Sequence, residues 1–336
     1  MRTAARRIRA VPLAPQIDFY DLHPSPANLR AEVLTGLSQP HKRLPPKLFY
    51  DREGSRLFDA ITALPEYYPT RSEIAILRAE GERIARRMGK GLALVELGSG
   101  SSLKIRLLLE ALEPVLYVPV DISREHLLAS AQGLAERFAH LPIRAVCADY
   151  SVPFELPLGP EFRRRAAFFP GSSIGNFEPV EAVMLLSRVA RLLGPGGRLL
   201  IGADPVKDPA VLHAAYNDAA GVTAAFNRNA LARINRELGA DFDLDAFAHR
   251  AFYNPLTGAG SGLGRIEMHL ESLSDQRVRI AGRAFDFRAG ETIHTENSYK
   301  YSPEGFRGLA AQAGFLPEET WSDPEGLFCV HCLLVP

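Results

Sequence analysis

The chain has 336 residues, with 39 Lys and Arg balanced by 39 Asp and Glu. That length buries a substantial core, zero net charge argues against nucleic acid as a partner, and no apolar run approaches the roughly 20 residues that span a bilayer. Three cysteines do not make a disulfide framework, so a reduced, cytoplasmic protein is expected.

The N-terminus carries Arg2, Arg6, Arg7 and Arg9 without a following hydrophobic block, which is not a secretory signal. An organelle presequence has this arginine-rich character, but a disordered tail over residues 1–16 is the simpler expectation. Phe19 to Pro45 reads as loop and a short helix. Ser55 to Leu64 and Arg71 to Met88 have helical apolar spacing, with Pro65 breaking the first and Thr70 or Ser72 placed to cap the second. From Leu92 strands and helices alternate: strands at Leu92–Leu97, Leu116–Asp121, Ile143–Cys147, Ala166–Phe169 and Arg198–Ala203, with helices between. This is the pattern of a doubly wound parallel sheet with right-handed crossovers. Beyond Asp204 the alternation stops. Helical spacing runs over Val211 to Leu238, strand-like runs follow at Arg265–Leu273 and Val278–Phe287, and Glu291–Tyr301 reads ETIHTENSYKY. A helix at Pro303–Ala313 and a strand at Leu327–Val335 return to the earlier style. The expected organisation is an α/β sheet domain from 72–207 plus 299–336, with a second α/β lobe built from 17–71 and the insertion 208–298.

Leu92 to Leu112 reads as strand, glycine turn and helix, the first half of a nucleotide-binding unit. Gly98 and Gly100 permit a backbone conformation closed to side chains and let a ligand approach the main chain. A dinucleotide fingerprint needs a third glycine where Leu103 stands, which weakens a nicotinamide-dependent oxidoreductase. S-adenosylmethionine (SAM) carries no phosphate and needs no such cradle, and Glu96 before the turn suits that ligand. Ligands of open parallel sheets sit at the carboxyl ends of the strands. There, Asp121 can accept both hydroxyls of a ribose, and Asp149, followed by Tyr150, can accept from an adenine amine. Acids also end strands as helix caps, but their order here fits a Rossmann-like class I methyltransferase. Cys329 and Cys332 lie three apart on a strand, point to opposite faces and cannot chelate one ion together, so no metal is expected.

The motifs FYDREGSRLFDAITALPEYYPTRSE, ELGSGSSLK, PVDIS, FFPGSSIGNFEP, YNDAAGVTAAFN and IHTENSYKY together resemble the histidine N-alpha-methyltransferase family of ergothioneine biosynthesis, from about Leu44 to the C-terminus. The resemblance implies three methyl transfers from SAM to the α-amine of histidine, giving hercynine, with no metal. Because the chain ends at the last sheet strand, it also implies the form without the sulfoxide synthase fused in fungal relatives. By the same resemblance Asn176 binds the substrate carboxylate with help from Tyr216, Tyr50 and Tyr67 are active-site tyrosines, and Glu296 and Ser298 grip the imidazole. Gly171 falls where the amine meets the methyl donor; Gly98, Gly100, Lys104, Asp121, Asp149 and Tyr150 fall to the donor. A small-molecule amino acid is the expected partner, and a monomer the expected state. Glu296 and Ser298 are two apart, so an extended segment faces them the same way, and a carboxylate with a hydroxyl suits the two ring nitrogens of an imidazole. The plainer reading is an edge strand with a Glu296–Lys300 salt bridge. Tyr216, Thr223 and Asn227 are spaced to share a helical face, which places them either along the same cleft or equally in capping or packing roles. An α-N-methyltransferase of another amino acid, such as the prenylated tryptophan of ergot relatives, and a non-catalytic SAM-binding module are the alternatives.

Overall fold

The computed structural model describes residues 11–14, 16–22, 26–100, 102–256 and 263–336. In chain order the strands are β1 (Val11–Ala14), β2 (Ile17–Asp21), β3 (Ala93–Leu97), β4 (Leu116–Asp121), β5 (Ile143–Cys147), β6 (Arg165–Phe169) and β7 (Arg198–Ala203). The insertion holds β8 (Phe247–Asn254), β9 (Leu263–Ser272), β10 (Gln276–Ile280), β11 (Arg283–Phe287) and β12 (Thr292–Tyr301), and β13 (Leu316–Ser322) and β14 (Cys329–Leu334) close the chain. The helices are α1 (Pro26–Leu37), α2 (Arg52–Thr62), α3 (Tyr68–Met88), α4 (Leu103–Leu112), α5 (Arg124–Arg137), α6 (Pro179–Leu193), α7 (Pro209–Tyr216), α8 (Val222–Leu238) and α9 (Pro303–Gln312). None is long and apolar enough to cross a membrane among the described residues.

One nine-stranded sheet runs β1-β2-β5-β4-β3-β6-β7-β14-β13. Strands β2 to β7 pair in parallel, while β14 returns antiparallel against β7. The order reverses on either side of β3, which makes the crevice beyond its carboxyl end the topological switch point. Strands β3 and β4 are buried at every position. One face of the sheet packs Leu94, Tyr117 and Phe168 against α3, α4 and α5. The other packs Val95, Val118 and Ile201 against α6 and α9. Continuous apolar strands covered on both faces are what a parallel sheet demands.

A second core joins α1, α2, α7 and α8 to a three-stranded sheet ordered β12-β9-β8, together with the hairpin β10-β11. Several expected boundaries are corrected. Ile17–Asp21 is not part of the second lobe: it adds β2 to the edge of the main sheet beside β5. Val11–Ala14, expected in the tail, pairs antiparallel with β2, Gln16 of the same stretch donates to the Ala135 carbonyl at 2.6 Å, and 1–10 and 15 lie outside the described residues along with Ser101 of the glycine turn. The run Val278–Phe287 is two strands, because Ala281 and Gly282 both take positive φ (48° and 83°), the requirement of a tight two-residue hairpin turn. The helical stretch 211–238 is also two elements. Asp218 stops it by accepting from the backbone N–H groups of Val222 and Thr223, both at 2.8 Å, which starts α8 anew. Tyr216 therefore sits on α7 and Thr223 on α8. Helix α3 begins earlier than expected, at Tyr68 with Pro69 in its first turn, and neither Thr70 nor Ser72 caps it. Finally, β12 runs unbroken through 298, so the proposed lobe boundary falls inside a strand. Its last residues, Tyr299 and Tyr301, pack in the core of the main sheet.

Candidate active site

The carboxyl ends of the parallel strands meet the second lobe in a narrow cavity. Its walls include Tyr50, Tyr67, Gly171, Asn176, Tyr216, Thr223, Glu296 and Ser298. These residues come from loops and elements up to 248 positions apart in the chain, and all seven expected acceptor-side residues are among them. Asn227 is not. Its amide faces the β-sheet instead, donating to the carbonyl of His269 at 2.9 Å and accepting from Thr295 at 2.7 Å.

The floor is the turn after β6. Gly171 has φ +74°, and its N–H donates to Glu73 at 2.9 Å. A short 3₁₀ turn, Ser173–Asn176, then crosses beneath β12, and Gly175 allows the approach: a Cβ there would lie 2.7 Å from the carbonyl oxygen of Tyr299. The Asn176 amide donates to Glu296 at 3.3 Å. Glu296 and Ser298 do face the same way on β12. Lys300 does not pair with Glu296 as the plainer reading supposed, and β12 is not a solvated edge. The Lys300 ammonium is buried, bonded to Asp204 at 2.7 Å, to the Ser298 hydroxyl at 2.7 Å and to the Tyr216 hydroxyl at 3.2 Å. Tyr216 in turn donates to Ser298 at 2.7 Å.

The electrostatics follow from burial. Loss of water pushes the Glu296 carboxyl up to about 8, with Lys300 opposing the rise only in part. Tyr50 and Tyr67 are held well above the ordinary phenol range by burial and by neighbouring acids, so both are neutral hydroxyls at physiological pH. Asp204 is also buried, yet Lys300 and Lys207 outweigh that and lower its pKa. Tyr50 is fixed by edge-on contacts with Phe58 and Phe226, their ring centroids 5.9 and 5.8 Å away.

A wider groove adjoins this cavity, lined by Lys47, Ile122, Asp149, Tyr150 and Phe177, and Tyr50 and Asn176 border both spaces. Gly98 and Gly100 have φ of +69° and +38°, and the Gly100 N–H donates to Asp121 at 3.2 Å. Burial raises the Asp121 pKa against its bonds to the Ser123 and Gly100 N–H groups. Tyr150 stands beside Gly98, its hydroxyl 3.6 Å from where a Cβ would be. Asp149 is already paired with Lys47 at 2.9 Å, which also holds Glu32 of α1 at 2.8 Å. Lys104 is paired with Glu73 at 2.7 Å. Glu96 accepts from the Tyr117 hydroxyl, and burial pushes its pKa well up.

A family model described as a histidine-specific, SAM-dependent methyltransferase matches residues 29–335. The chain belongs to that family. It is 46% identical over 308 residues to the histidine N-alpha-methyltransferase of Mycolicibacterium smegmatis, covering 89% of this chain and 92% of that one. The histidine N-alpha-methyltransferase of Mycobacterium tuberculosis is 45% identical, with the same shares covered. Ergothioneine biosynthesis protein 1 of Neurospora crassa is 31% identical over 88% of this chain, which spans 34% of that longer protein.

As a member of the family the protein uses SAM as methyl donor, and the crevice beyond β3 and β4 suits it. Two glycines leave the main chain open, the buried Asp121 carboxylate is available to hydroxyls, and the Ser99 hydroxyl in the turn is buried with no hydrogen-bond partner among the described residues. Four functional candidates escaped the sequence reading: Lys47, Glu73, Asp204 and Lys300. Asp204 was within reach, because it follows β7 as Asp149 follows β5, at the carboxyl edge of the sheet. The others announce nothing locally. Glu73 lies inside an amphipathic helix, and only the packing of α3 beneath the Gly171 turn gives it a role.

Proposed function

We propose that the protein transfers three methyl groups from SAM to the α-amine of L-histidine, giving hercynine. The observation that carries this reading is the convergence on one buried cavity of Glu296 and Ser298, a carboxyl and a hydroxyl suited to an imidazole, with Asn176 and the Gly171 turn, suited to the carboxylate and amine of an amino acid. The names of the relatives in Mycolicibacterium smegmatis and Mycobacterium tuberculosis support it. Asn176 donates an amide N–H to the substrate carboxylate, and Tyr216, whose own proton goes to Ser298, borders the same cavity. Ser298 is pre-oriented, since Lys300 and Tyr216 both occupy its oxygen and its own proton is left for a ring nitrogen. Glu296 accepts from the other ring N–H.

When bound, SAM would supply an electrophilic methyl group on a sulfonium, and Tyr50 and Asn176 border both its groove and the acceptor cavity. The chain's task is to align an unprotonated amine with it. Tyr50 and Tyr67 are neutral phenols, so they orient the amine through hydrogen bonds and do not act as tyrosinate bases. The amine proton leaves to water before productive alignment. Gly171 carries no side chain, so the amine can approach the donor there. Holding two reactants in line accounts for a barrier reduction of several kcal/mol, on the order of 7 or more in well-aligned cases. Anchoring through the ring and carboxylate, away from nitrogen, tolerates the growing bulk of one, two and three methyl groups.

The test is incubation with SAM and each amino acid in turn, with products followed by mass. A gain of three methyl groups on histidine alone is expected; methylation of another amino acid with histidine untouched refutes the substrate.

A further inference from the structure

On the outer face of the β8-β9-β12 sheet, away from the methyl-transfer cavity, three side chains converge that no strand motif announces. Glu267 and His269 alternate on β9, and His294 lies directly opposite His269 in the β12 register. One ligand atom from each lies within 4.8 Å of the other two. We propose that Glu267, His269 and His294 form a binding site for a divalent transition-metal ion of the zinc type, and that its occupancy acts on Glu296 through His294.

The donor set is two imidazoles and one carboxylate, which suits zinc and its neighbours better than magnesium or calcium. Bonds of about 2.0–2.1 Å place tetrahedral ligand atoms about 3.3 Å apart, so small side-chain rotations close the cluster on an ion. One contact is already closer than that: His269 Nε2 lies 3.1 Å from Glu267 Oε2. Each ligand also has its second polar atom tied down, the arrangement that orients metal ligands. Glu267 Oε1 accepts from Asn254 and from Arg265, each at 2.8 Å, which leaves Oε2 for the ion. His269 Nδ1 meets the Thr292 hydroxyl at 3.2 Å, and Phe252 stacks on the same ring with centroids 5.3 Å apart. His294 Nε2 meets the carbonyl oxygen of Glu296 at 3.0 Å. Arg265 opposes the ion, but its charge is shared with Glu178, 3.6 Å away, as well as with Glu267. The Glu267 and His269 side chains keep 11% and 13% of their surface exposed, so an ion reaches them from solvent.

The link to the active site is short. A β-bulge separates His294 from Glu296, and the imidazole of the first holds the backbone of the second. Fixing His294 on an ion fixes the strand segment that presents the Glu296 carboxyl. This second half of the proposal rests on the reading of Glu296 as the imidazole-binding residue; ion binding itself does not.

The test starts from full-length protein freed of metal by chelator. Cobalt(II) is titrated and followed by its ligand-field absorption, with zinc(II) as competitor and magnesium(II) as control. One equivalent is expected, displaced by zinc and not by magnesium, with affinity falling in Glu267→Gln and His269→Gln by more than the roughly 10- to 100-fold that losing an outer-shell partner costs. Thr292→Val, which leaves all three ligands, should weaken it less. Sub-stoichiometric binding, thiolate charge-transfer bands from a cysteine, displacement by magnesium, or binding indifferent to both ligand substitutions overturns the site. Methylation kinetics at saturating SAM then compare zinc-loaded with metal-free protein. A several-fold change in the histidine KM, absent in His269→Gln, is expected; an unchanged KM with stoichiometric binding overturns the coupling alone.

Discussion

Replacing Glu296 by Gln keeps the shape of the side chain and removes its ionisation, and its effect on histidine recognition should depend on pH. In the ligand-free cavity, burial holds this carboxyl near 8, so it carries a proton at pH 7 and loses it by pH 9. A ring N–H donating to the ionised carboxylate gains a charge-assisted bond worth about 1.5–3 kcal/mol, or about 10- to 150-fold at 1.4 kcal/mol per tenfold. One pH unit below the pKa, ionising the group costs about 1.4 kcal/mol, which offsets about tenfold of that gain. The ratio of variant to wild-type KM for histidine should therefore be about 10 to 150 at pH 9 and shrink by about tenfold at pH 7. Titration of the substrate's own amine cancels in the ratio. Initial rates with histidine varied at saturating SAM, and the reverse, measure it between pH 7 and 9. A ratio that stays flat across this range, or a SAM KM that moves as much as the histidine KM, refutes the assignment.

Gly175→Ala drives a Cβ to 2.7 Å from the Tyr299 carbonyl and to 3.1 Å from its nitrogen, both backbone atoms that cannot rotate away. It should destabilise the protein by about 1–3 kcal/mol by urea unfolding and raise the histidine KM, because β12 shifts and carries Glu296 and Ser298 with it. Lys300→Met leaves Asp204 buried with Lys207 and Tyr68 as remaining partners, so the loss should sit near the lower end of the range for a broken buried pair, about 3 kcal/mol. Circular-dichroism melts check it, and unchanged stability would show that the pair contributes nothing. His331 is buried beside Phe306, and its folded pKa falls to about 3 through loss of water. Between that value and about 6.5 the unfolded chain binds the extra proton, so its contribution is complete above pH 6.5 and drains by up to about 1.4 kcal/mol per unit as pH falls. His331→Gln should flatten the decline between pH 6.5 and 4 in denaturant titrations, and an unchanged slope would count against the buried neutral histidine.

The donor half of the molecule was legible because its signals are local. An apolar run, two glycines and a helical repeat specify strand, turn and helix within about twenty residues, and acids at successive strand ends follow from the same alternation. The second lobe and the edges of the main sheet are harder to read. Phe247–Asn254 in the lobe and Leu316–Ser322 at the sheet edge have mixed faces that announce no strand, and Val278–Phe287 reads as one strand because its turn is a plain Ala-Gly. The N-terminal strand at Ile17–Asp21 is silent for a related reason: five residues carry too little periodicity to declare a strand, and only the edge of β5 gives them a parallel partner.

By itself, then, the sequence determined the alternation that builds the parallel sheet, the glycine turn at its switch point, and, through resemblance, the residues expected around histidine. The tertiary structure decided which of those residues meet. It placed Lys300 on Asp204 and Ser298 instead of on Glu296, sent Asn227 away from the cavity, and put Glu73 under the Gly171 turn. It also brought His294 opposite His269. The physical reason is that periodicity records which face of an element is buried, whereas strand register and helix docking are set by packing between distant segments. A side chain's partner belongs to that second kind of information.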